Sequence, residues 1–347
     1  MKISERPIRV LVADDSSLAR DMICTILSSE PGISIVGTAA NGLDAVAKVV
    51  ALKPDLVTMD IEMPMMGGLD AIERIMAEHP VPILVVTALE GVCTAFSAVS
   101  KGALDVIEKP NIDYQGGSKL IKKVQLLSKV DISRHLDVRA RTESMSKGSA
   151  TDKPPRPNGR VVAIAASTGG PQALQHILSR LPEDFPAPIV ISQHIAEGFA
   201  QGMADWLNAG TPLAVSVART SEQMLPGRVY INPSEFSMRI TRQGMAILEA
   251  QEACQLYHPC CDTLLTATAN AYGEHCVGVI LSGMGDDGVD GMRVIKSAGG
   301  MTLAQDAKSS VVYGMNRLAV ERGYVHRVVA LANIPSELLT LVGGTRT

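Results

Sequence analysis

The sequence predicts an α/β protein with two domains, each built around a largely parallel β-sheet. Three observations support this prediction. Short apolar runs alternate with longer amphipathic runs through the first third of the chain, a polar Pro/Gly-rich stretch follows, and a second series of apolar runs continues toward the C-terminus. Apolar strands that alternate with helices favour parallel sheets covered by helices on both faces. A chain of 347 residues is also long enough for two separate cores.

The first domain is predicted to contain five strands, each followed by a helix. The apolar runs that predict the strands are, in order, IRVLVAD, ISIVGTA, DLVTMD, VPILVVTA and ALDVIEKP. The helices are expected to begin near Ser16, Gly42, Gly68, Gly91 and Gly117. Because parallel strands are joined by crossover connections, usually helical, this pattern predicts a (βα)5 domain over residues 1–128.

Residues 129–158 are predicted to form a linker between the two domains. Most of this segment belongs to the stretch RARTESMSKGSATDKPPRPNGR, which is polar, charged, rich in Pro and Gly, and without apolar periodicity. Such a segment buries too little apolar surface to fold on its own. The second domain is therefore expected over residues 159–347.

Eight apolar runs predict the strands of the second domain, and helical stretches separate several of them. The runs are VVAIAAS, PIVISQH, LAVSVA, GRVYIN, SMRIT, MAILEA, CVGVILSG and MTLAQD. The segment from Arg228 to Ala250 has the character of an antiparallel ribbon. The second domain is therefore predicted to be α/β, with a mostly parallel sheet and a β-hairpin segment.

The composition argues against several classes of protein. With 32 Lys and Arg against 36 Asp and Glu, the net charge is −4, and the absence of a basic run with interleaved aromatics argues against nucleic-acid binding. No apolar run has the length of a transmembrane helix and the N-terminus lacks a signal peptide, so we expect no membrane insertion and a cytoplasmic protein. We also expect the protein to be a monomer. The six cysteines include no pair or His/Cys cluster at zinc spacing, which predicts buried, reduced thiols.

Polar side chains end several strands of the first domain. Asp14 and Asp15 follow the first strand, and Asp60 follows the third. If these strands are neighbours, the three carboxylates converge at one edge, where Mg²⁺ would neutralise their repulsion. Thr87 and Lys109 end the fourth and fifth strands, and would suit a phosphoryl group bonded to a carboxylate. One such Asp is more often a helix cap, but the whole set at one edge favours a site.

Four stretches of the first domain resemble the receiver domain of bacterial two-component response regulators. They are VADDSSLAR, VTMDIEMPMMGGLDAIERIM, VVTAL and IEKP. The resemblance implies a flavodoxin-like fold, Asp60 as the phosphoacceptor, and Thr87 and Lys109 as contacts to the phosphoryl oxygens. The residues that it assigns to Mg²⁺ are Asp14, Asp15, Asp60 and, through its backbone carbonyl, Glu62. The sequence departs from receivers at Gly67, where they commonly carry Asp.

In the second domain, a serine, a histidine and three aspartates each follow a predicted strand. Ser167 ends the first run, His194 the second, and Asp286, Asp287 and Asp290 follow a later one. A serine nucleophile needs a base, and the base needs a carboxylate that fixes its tautomer and stabilises the imidazolium. Taken singly, these residues could be a helix cap, a structural histidine and a turn, but their joint placement favours catalysis. The residues alone do not choose among the three aspartates.

The stretch AASTGGPQ around the serine also allows a phosphate-binding turn, because a glycine turn before a helix exposes backbone N–H groups. A dinucleotide site, however, needs G-x-G-x-x-G and an acidic residue near the end of the next strand. This stretch lacks the first glycine, and the next strand ends in Gln193 and His194. The pattern therefore argues against a nucleotide.

Four stretches of the second domain resemble the catalytic domain of the chemotaxis protein-glutamate methylesterase family, CheB. They are AIAASTGGPQAL, SQHIAEGFA, LPGRVYINP and GVILSGMGDDGVDGM, and a receiver in front of such a domain is that family's architecture. The resemblance implies Ser167 as nucleophile, His194 as general base and Asp287 as the orienting carboxylate. It also implies that the backbone N–H of Met284, with Thr168 nearby, faces the oxyanion.

The sequence departs from the CheB pattern at two places. Ala165 stands where the family often has Gly, and YHPCCD (257–262) stands where it tends to have Arg or His followed by Pro-Ser-Val-Asp. The second departure introduces two adjacent cysteines, Cys260 and Cys261.

The resemblance implies a phosphorylation-activated serine esterase. It would remove methyl esters from glutamates of methyl-accepting chemotaxis receptors, release methanol and deamidate receptor glutamines, without a cofactor for the esterase reaction. A chemotaxis histidine kinase would be the phosphodonor, with Mg²⁺ at the receiver. Two alternatives stay open: a catalytically inactive adaptor that acts as a phosphate sink or receptor-binding protein, and a receiver fused to a general esterase for small esters.

Overall fold

The computed structural model describes residues 6–88, 92–110, 114–132, 159–250 and 259–343. The chain divides into two compact units, Met1–Val138 and Arg139–Thr347. Most of the predicted linker, residues 133–158, lies outside the described residues, as do Tyr257 and His258 of the YHPCCD stretch. The domain boundaries at residues 128 and 159 stay predictions.

Five strands and five helices alternate along the described part of the N-terminal unit. The strands are β1 (Ile8–Ala13), β2 (Ile33–Ala39), β3 (Leu56–Met59), β4 (Ile83–Thr87) and β5 (Asp105–Glu108). The helices are α1 (Ser17–Ser28), α2 (Gly42–Leu52), α3 (Gly68–Glu78), α4 (Val92–Lys101) and α5 (Tyr114–Leu127). The strands are parallel in the order β2-β1-β3-β4-β5, which is the flavodoxin-like order. The predicted fold of this unit is confirmed.

Local sequence explains why these elements form. Strands β3 and β4 consist of apolar runs that are buried throughout, as expected for a sheet covered on both faces. The Ser16 side chain accepts the backbone N–H of Ala19 at the start of α1, and the Asn41 side chain accepts that of Asp44 at the start of α2. The neighbouring strands β1 and β3 mark the point where the strand order reverses, which is where parallel sheets of this type place their sites.

The C-terminal unit is larger and also α/β. Its strands are β6 (Val161–Ala166), β7 (Ile189–Gln193), β8 (Ala214–Val217), β9 (Arg228–Ile231), β10 (Phe236–Ile240), β11 (Ala246–Ala250), β12 (Cys276–Ile280), β13 (Met301–Gln305) and β14 (Arg327–Val329). Its helices are α6 (Gly170–Leu178), α7 (Phe199–Ala209), α8 (Cys261–Tyr272), α9 (Val289–Ser297), α10 (Met315–Glu321) and α11 (Ile334–Gly343), with 3₁₀ turns at Gly273–His275 and Leu331–Asn333.

Seven of these strands form one sheet in the order β14-β13-β12-β6-β7-β9-β8, and every pairing in it is parallel. Strands β10 and β11 form a separate antiparallel hairpin. The expected ribbon therefore exists only from Phe236 to Ala250. The prediction that it begins at Arg228 is wrong, because β9 is buried between β7 and β8 and pairs with both in parallel.

The path of the chain through the large sheet determines where its site lies. From β6 the chain proceeds outward through β7, and it later returns to β12 on the other side of β6 before continuing to β13 and β14. The turns after β6 and β12 are therefore neighbours at a second reversal of strand order. The apolar faces of the helices pack into this core, and none of the described helices combines the length and hydropathy needed to cross a membrane.

Candidate functional site

Three carboxylates meet at the carboxyl edge of the five-stranded sheet. Asp14 and Asp60 are buried, whereas Asp15 is exposed. One carboxylate oxygen from each of the three lies within 4.8 Å of the others. The structure thus brings together the aspartates that the sequence placed after the first and third strands, because β1 and β3 are direct neighbours.

The ammonium of Lys109 lies between the two buried carboxylates. Its Nζ is 2.8 Å from Oδ2 of Asp14 and 2.8 Å from Oδ2 of Asp60. Burial lowers the pKa of Lys109, but its contacts with the two carboxylates outweigh this effect and raise the pKa overall. The backbone N–H of Lys109 also donates to the carbonyl of Thr87 over 2.8 Å, which holds the buried Thr87 at the same edge.

Asp60 carries an incompletely compensated charge. Burial is the main cause that raises its pKa, the neighbouring charge of Asp14 adds to this, and Lys109 and the N–H of Ile61 offset only part of it. The three oxygen donors, one of them on an exposed residue, suit a hard cation that keeps open coordination positions, as Mg²⁺ does. The residues present therefore fit the ion that the sequence predicted.

The loop after Asp60 packs tightly against the candidate phosphoacceptor. The N–H of Gly68 donates to the carbonyl of Ile61 over 2.8 Å, and a Cβ at Gly68 would lie only 1.9 Å from the backbone oxygen of Asp60. A glycine is therefore required at this position. Gly67 is the N-cap of α3 and supplies no side-chain hydrogen bond to it. Glu62, a predicted metal ligand through its carbonyl, has an exposed side chain in this loop.

Ser167 directly follows β6 and is 7% exposed. Its N–H donates to the carbonyl of Ser282 over 3.1 Å, which ties it to the turn after β12. A Cβ at Gly283 would lie 2.6 Å from the Cβ of Ser167. The backbone of the SGMGDDG turn thus lies directly against the serine, and only glycine allows this approach.

His194 follows β7 and forms a close pair with Asp287. Its Nε2 is 2.7 Å from Oδ2 of the Asp287 carboxylate. Strands β6 and β7 are in register with Ala166 opposite Gln193, so Ser167 and His194 occupy equivalent positions one residue beyond the paired strands. The structure therefore brings the predicted serine, histidine and aspartate to one edge of the sheet.

The Asp287 carboxylate lies at the N-terminus of helix α8. The backbone N–H of Cys261 donates to Oδ2 over 2.7 Å, and that of Asp262 donates to Oδ1 over 2.8 Å. Burial would raise the pKa of Asp287, but the His194 ring and these two N–H groups outweigh it and hold the pKa below its usual value. Asp287 is thus kept as an anion beside the imidazole.

The structure separates the three aspartates that the residues alone left equivalent. Asp286 and Asp290 are exposed, and Asp290 forms a surface pair with Arg293. Asp287 is buried and contacts His194. Its choice as the orienting carboxylate, made from the family resemblance, agrees with this geometry.

Gln193 connects the nucleophile turn to the histidine turn, and sequence reasoning did not assign it a role. Its side chain is buried, and Nε2 donates to the carbonyl of Ser167 over 2.8 Å and to that of His194 over 2.9 Å. The available signal was a large polar residue at the end of a buried apolar strand, because such a residue needs partners inside the fold.

Two cysteines and an aspartate at the start of α8 surround Asp287. The Cys260 thiol donates to Oδ1 of Asp287 over 3.4 Å, and the Cys261 thiol is 3.5 Å from Nε2 of His194. Burial raises the pKa of Cys261 well above its usual value, and the charge of Asp287 adds to this. Asp262 accepts the N–H of Gly291 over 2.6 Å, which ties α8 to α9; burial chiefly raises its pKa to about 6.

The predicted oxyanion residues belong to the two turns that meet at Ser167. Thr168 is buried, and its carbonyl accepts the hydroxyl of Ser282 over 2.8 Å. Met284 follows Gly283 in the turn that packs on the serine, and its side chain is 38% exposed. Both residues are adjacent to the candidate nucleophile, and their roles stay predictions.

The fold and these sites together define a response regulator: a receiver domain joined to an α/β output domain with Ser, His and Asp at its strand ends. The response regulator receiver domain model matches residues 10–123, and the CheB methylesterase model matches residues 162–338. The output domain thus belongs to a family of carboxylic ester hydrolases.

Several relatives match nearly the whole chain. The chain is 44% identical to a protein-glutamate methylesterase/protein-glutamine glutaminase of Paramagnetospirillum magneticum, over 97% of each chain. It is 36% identical to one of Thermotoga maritima, over 98% of this chain and 100% of the relative. The crystal structure of the Thermotoga maritima CheB methylesterase catalytic domain matches 52% of this chain and 98% of its own, at 37% identity and a TM-score of 0.51. The chain belongs to the CheB methylesterase family.

Proposed function

We propose that this protein is a phosphorylation-controlled methylesterase in which Ser167, His194 and Asp287 are the catalytic triad. Its substrate is the γ-methyl ester of glutamates on methyl-accepting chemotaxis receptors, and the products are methanol and glutamate. The same residues deamidate receptor glutamines. The names of the relatives, protein-glutamate methylesterase and protein-glutamine glutaminase, support this choice of substrates.

The observation that carries the proposal is the 2.7 Å pair between His194 and Asp287 beside the turn of Ser167. Since the Asp287 carboxylate can only accept a hydrogen bond from Nε2, the neutral ring carries its hydrogen on Nε2 and its lone pair on Nδ1. Nδ1 is therefore the nitrogen that takes the serine proton. The buried carboxylate then stabilises the imidazolium that forms.

Each half of the reaction uses the same proton carrier. Oγ of Ser167 attacks the ester carbonyl while its proton passes to Nδ1 of His194, and the methoxide leaves as methanol with that proton. Water then attacks the acyl-enzyme, its proton returns through His194, and the glutamate carboxylate and the serine hydroxyl are released. With a glutamine substrate the leaving group is ammonia, and the steps are otherwise the same.

The negative charge that develops on the carbonyl oxygen needs N–H donors that are already in place. The backbone N–H of Met284, with Thr168 nearby, is the proposed donor, because the turn of Gly283 packs directly on Ser167. The dipole of α6, which begins three residues after Ser167, favours the same negative charge. Removing one such donor typically costs about 3 kcal/mol of transition-state stabilisation.

Control of the esterase is proposed to act through Asp60. Asp14, Asp15, Asp60 and the carbonyl of Glu62 would hold Mg²⁺, which neutralises charge during phosphoryl transfer to the Asp60 carboxylate. Lys109 already contacts Asp60 and would stay on the phosphoryl oxygens, together with the hydroxyl of Thr87. The proposed phosphodonor is a chemotaxis histidine kinase, and the protein is proposed to act as a monomer in the cytoplasm.

The test is methanol release from methylated receptor membranes, measured with and without acetyl phosphate and Mg²⁺. Wild type is compared with Ser167→Ala and Asp60→Asn. We expect release to require Ser167 and to rise with the phosphodonor only when Asp60 is present. Methanol release at the wild-type rate by Ser167→Ala would refute the proposed nucleophile.

The same assay distinguishes the two alternatives. An inactive adaptor would release no methanol under any condition while still accepting phosphoryl groups at Asp60. A general esterase would hydrolyse a short p-nitrophenyl ester faster than methylated receptor. The intact contact between His194 and Asp287 favours the methylesterase over the adaptor.

A further inference from the structure

The edge of the large sheet carries a second chemical feature besides the proposed triad. Nitrogen, sulfur and oxygen donors from His194, Cys261 and Asp287 converge there, with one ligand atom from each within 4.8 Å of the others. The three residues come from the turn after β7, the start of α8 and the turn after β12, so their sequence spacing gave no sign of a cluster. The Cys260 thiol contacts the same carboxylate from the other side, 3.4 Å from Oδ1.

The thiol of Cys261 is not needed for ester hydrolysis. The backbone N–H of Cys261 supports Asp287, but its side chain takes no part in the proton path from Ser167 to His194. The thiol is completely buried, donates to the carbonyl of Ser192 over 3.4 Å, and lies 3.5 Å from Nε2 of His194. A small apolar side chain would fill this position without placing sulfur on a catalytic nitrogen.

The distance between Cys261 and His194 suits tetrahedral coordination of a borderline-soft cation. With metal–nitrogen and metal–sulfur bonds of about 2.0 and 2.3 Å, tetrahedral zinc separates a nitrogen ligand from a sulfur ligand by about 3.5 Å. Sγ of Cys261 and Nε2 of His194 are 3.5 Å apart. A nitrogen and an oxygen ligand should be about 3.3 Å apart, so Oδ2 of Asp287 would have to withdraw by roughly half an ångström from its present 2.7 Å.

We infer that His194, Cys261 and Asp287 form an inhibitory site for Zn²⁺ or a similar borderline-soft divalent cation. The cation binds Nε2 of His194, the Cys261 thiolate and the Asp287 carboxylate. The proton of Nε2 moves to Nδ1, and the thiol proton passes to the solvent, so one proton is released for each cation bound. The site is distinct in chemistry from the all-oxygen cluster of the N-terminal unit.

Inhibition follows from the change at the imidazole. In the resting ring Nδ1 carries the lone pair that accepts the serine proton, whereas in the metal-bound ring Nδ1 carries a hydrogen and cannot accept one. The carboxylate that stabilises the imidazolium is also occupied by the cation. This consequence rests on the proposed role of His194 as the general base, but the binding of the cation does not.

Binding is tested with cobalt(II) as the probe on the reduced, full-length protein, in excess Mg²⁺ to fill the oxygen cluster. A thiolate bound to Co²⁺ gives a sulfur-to-metal charge-transfer band in the near ultraviolet. We expect the band in wild type and in Cys24→Ser, a matched control that removes a partly exposed thiol from the N-terminal unit. We expect it to be lost in Cys261→Ser. A band unchanged in Cys261→Ser, or no band in wild type at millimolar cobalt, overturns the proposal.

Inhibition is tested by Zn²⁺ titration of methanol release in excess Mg²⁺, with each variant normalised to its own zinc-free rate. We expect the half-inhibiting zinc concentration to rise by about tenfold or more in Cys261→Ser and to stay at the wild-type value in Cys24→Ser. Equal zinc sensitivity in all three proteins contradicts the site. If Cys261→Ser is unstable, Cys261→Ala supplies the same comparison without a buried hydroxyl.

The two arms separate this inference from the proposed function. A protein without methylesterase activity that still shows the Cys261-dependent cobalt band would contradict the proposed function and leave the metal site in place. An active methylesterase without the cobalt band would contradict the metal site and leave the proposed function in place.

Discussion

The two sites occupy the same architectural position and handle a buried carboxylate in opposite ways. Each lies at the carboxyl edge of a parallel sheet, where the strand order reverses: between β1 and β3 in one unit and between β6 and β12 in the other. At the first site Asp60 depends on one shared ammonium and one backbone N–H. At the second, Asp287 accepts two backbone N–H groups and an imidazole N–H.

The pKa values of the two carboxyls diverge for this reason. Burial dominates at Asp60 and raises its pKa, because Asp14 shares the same lysine and repels it. At Asp287 the hydrogen bonds exceed the effect of burial and lower the pKa. The comparison teaches that the number of N–H donors around a buried strand-end carboxylate decides whether its pKa lies above or below the usual value.

The largest expected effect is that of Asp287→Asn. The amide cannot stabilise an imidazolium, and it favours the wrong tautomer of His194, so methanol release should fall by roughly 10⁴-fold. Phosphorylation of Asp60 by acetyl phosphate should be unaffected, because it occurs in the other unit. The matched control is Asp286→Asn, which changes an exposed neighbour. If methanol release by Asp287→Asn falls by less than about tenfold, the pair with His194 is not catalytic.

A smaller loss is expected from Gln193→Glu, which tests whether the serine and histidine turns must be held together. The carboxylate cannot donate to the carbonyls of Ser167 and His194, so the two turns should no longer be held at a fixed distance from each other. We expect kcat to fall by about 10- to 100-fold with little change in KM. Gln243→Glu, on an exposed turn of the same unit, should have no effect. An unchanged kcat in Gln193→Glu would show that the side chain serves only packing.

The first site is tested through its shared lysine. Lys109→Met leaves Asp14 and Asp60 buried without their ammonium, and should lower the stability of the N-terminal unit by about 1–3 kcal/mol. Added Mg²⁺ should restore part of this loss, which hydrogen exchange of β1 and β3 would detect. Lys48→Met removes an exposed pair with Asp44 and should cost less than about 0.5 kcal/mol. Equal losses in both variants would contradict the proposed compensation.

The smallest effect concerns His176, a buried histidine that lies near the positive charge of Arg180. Burial lowers the pKa of His176 to about 4, helped by the charge of Arg180. The folded state therefore binds the proton less readily than the unfolded chain. Its stability is constant above the unfolded pKa near 6.5 and falls as the pH approaches 4. Between pH 7 and about pH 5.5 the loss should be about 1 kcal/mol.

Fluorescence of Trp206, which lies on α7 in the same unit, can follow this change during urea unfolding. His176→Gln should remove the pH dependence that this residue causes, whereas His275→Gln, at an exposed histidine, should not. A pH profile that is unchanged in His176→Gln would show that other groups control the acid limb.

The local pattern of the sequence determined the elements and the residue types at the strand ends. Continuous apolar runs gave the buried strands. Because helical crossovers imply parallel strands, whose carboxyl ends share one edge, the pattern placed Asp14, Asp60, Ser167 and His194 at carboxyl edges. The motifs then identified both domains. The local pattern misplaced β9, which it assigned to the antiparallel ribbon. This strand is as apolar as the hairpin strands, so only its burial between β7 and β8 distinguishes it from them.

Only the tertiary structure decided which side chains share protons and charge. Sequence spacing gave Asp286, Asp287 and Asp290 equal standing, and burial and the 2.7 Å contact with His194 separate Asp287 from the others. It gave no reason to place Cys261 beside a histidine 67 positions away. The physical reason is that strand and helix patterns are set by neighbours along the chain. Hydrogen bonds and desolvation depend instead on groups from distant segments, which only tertiary packing brings within a few ångströms of each other.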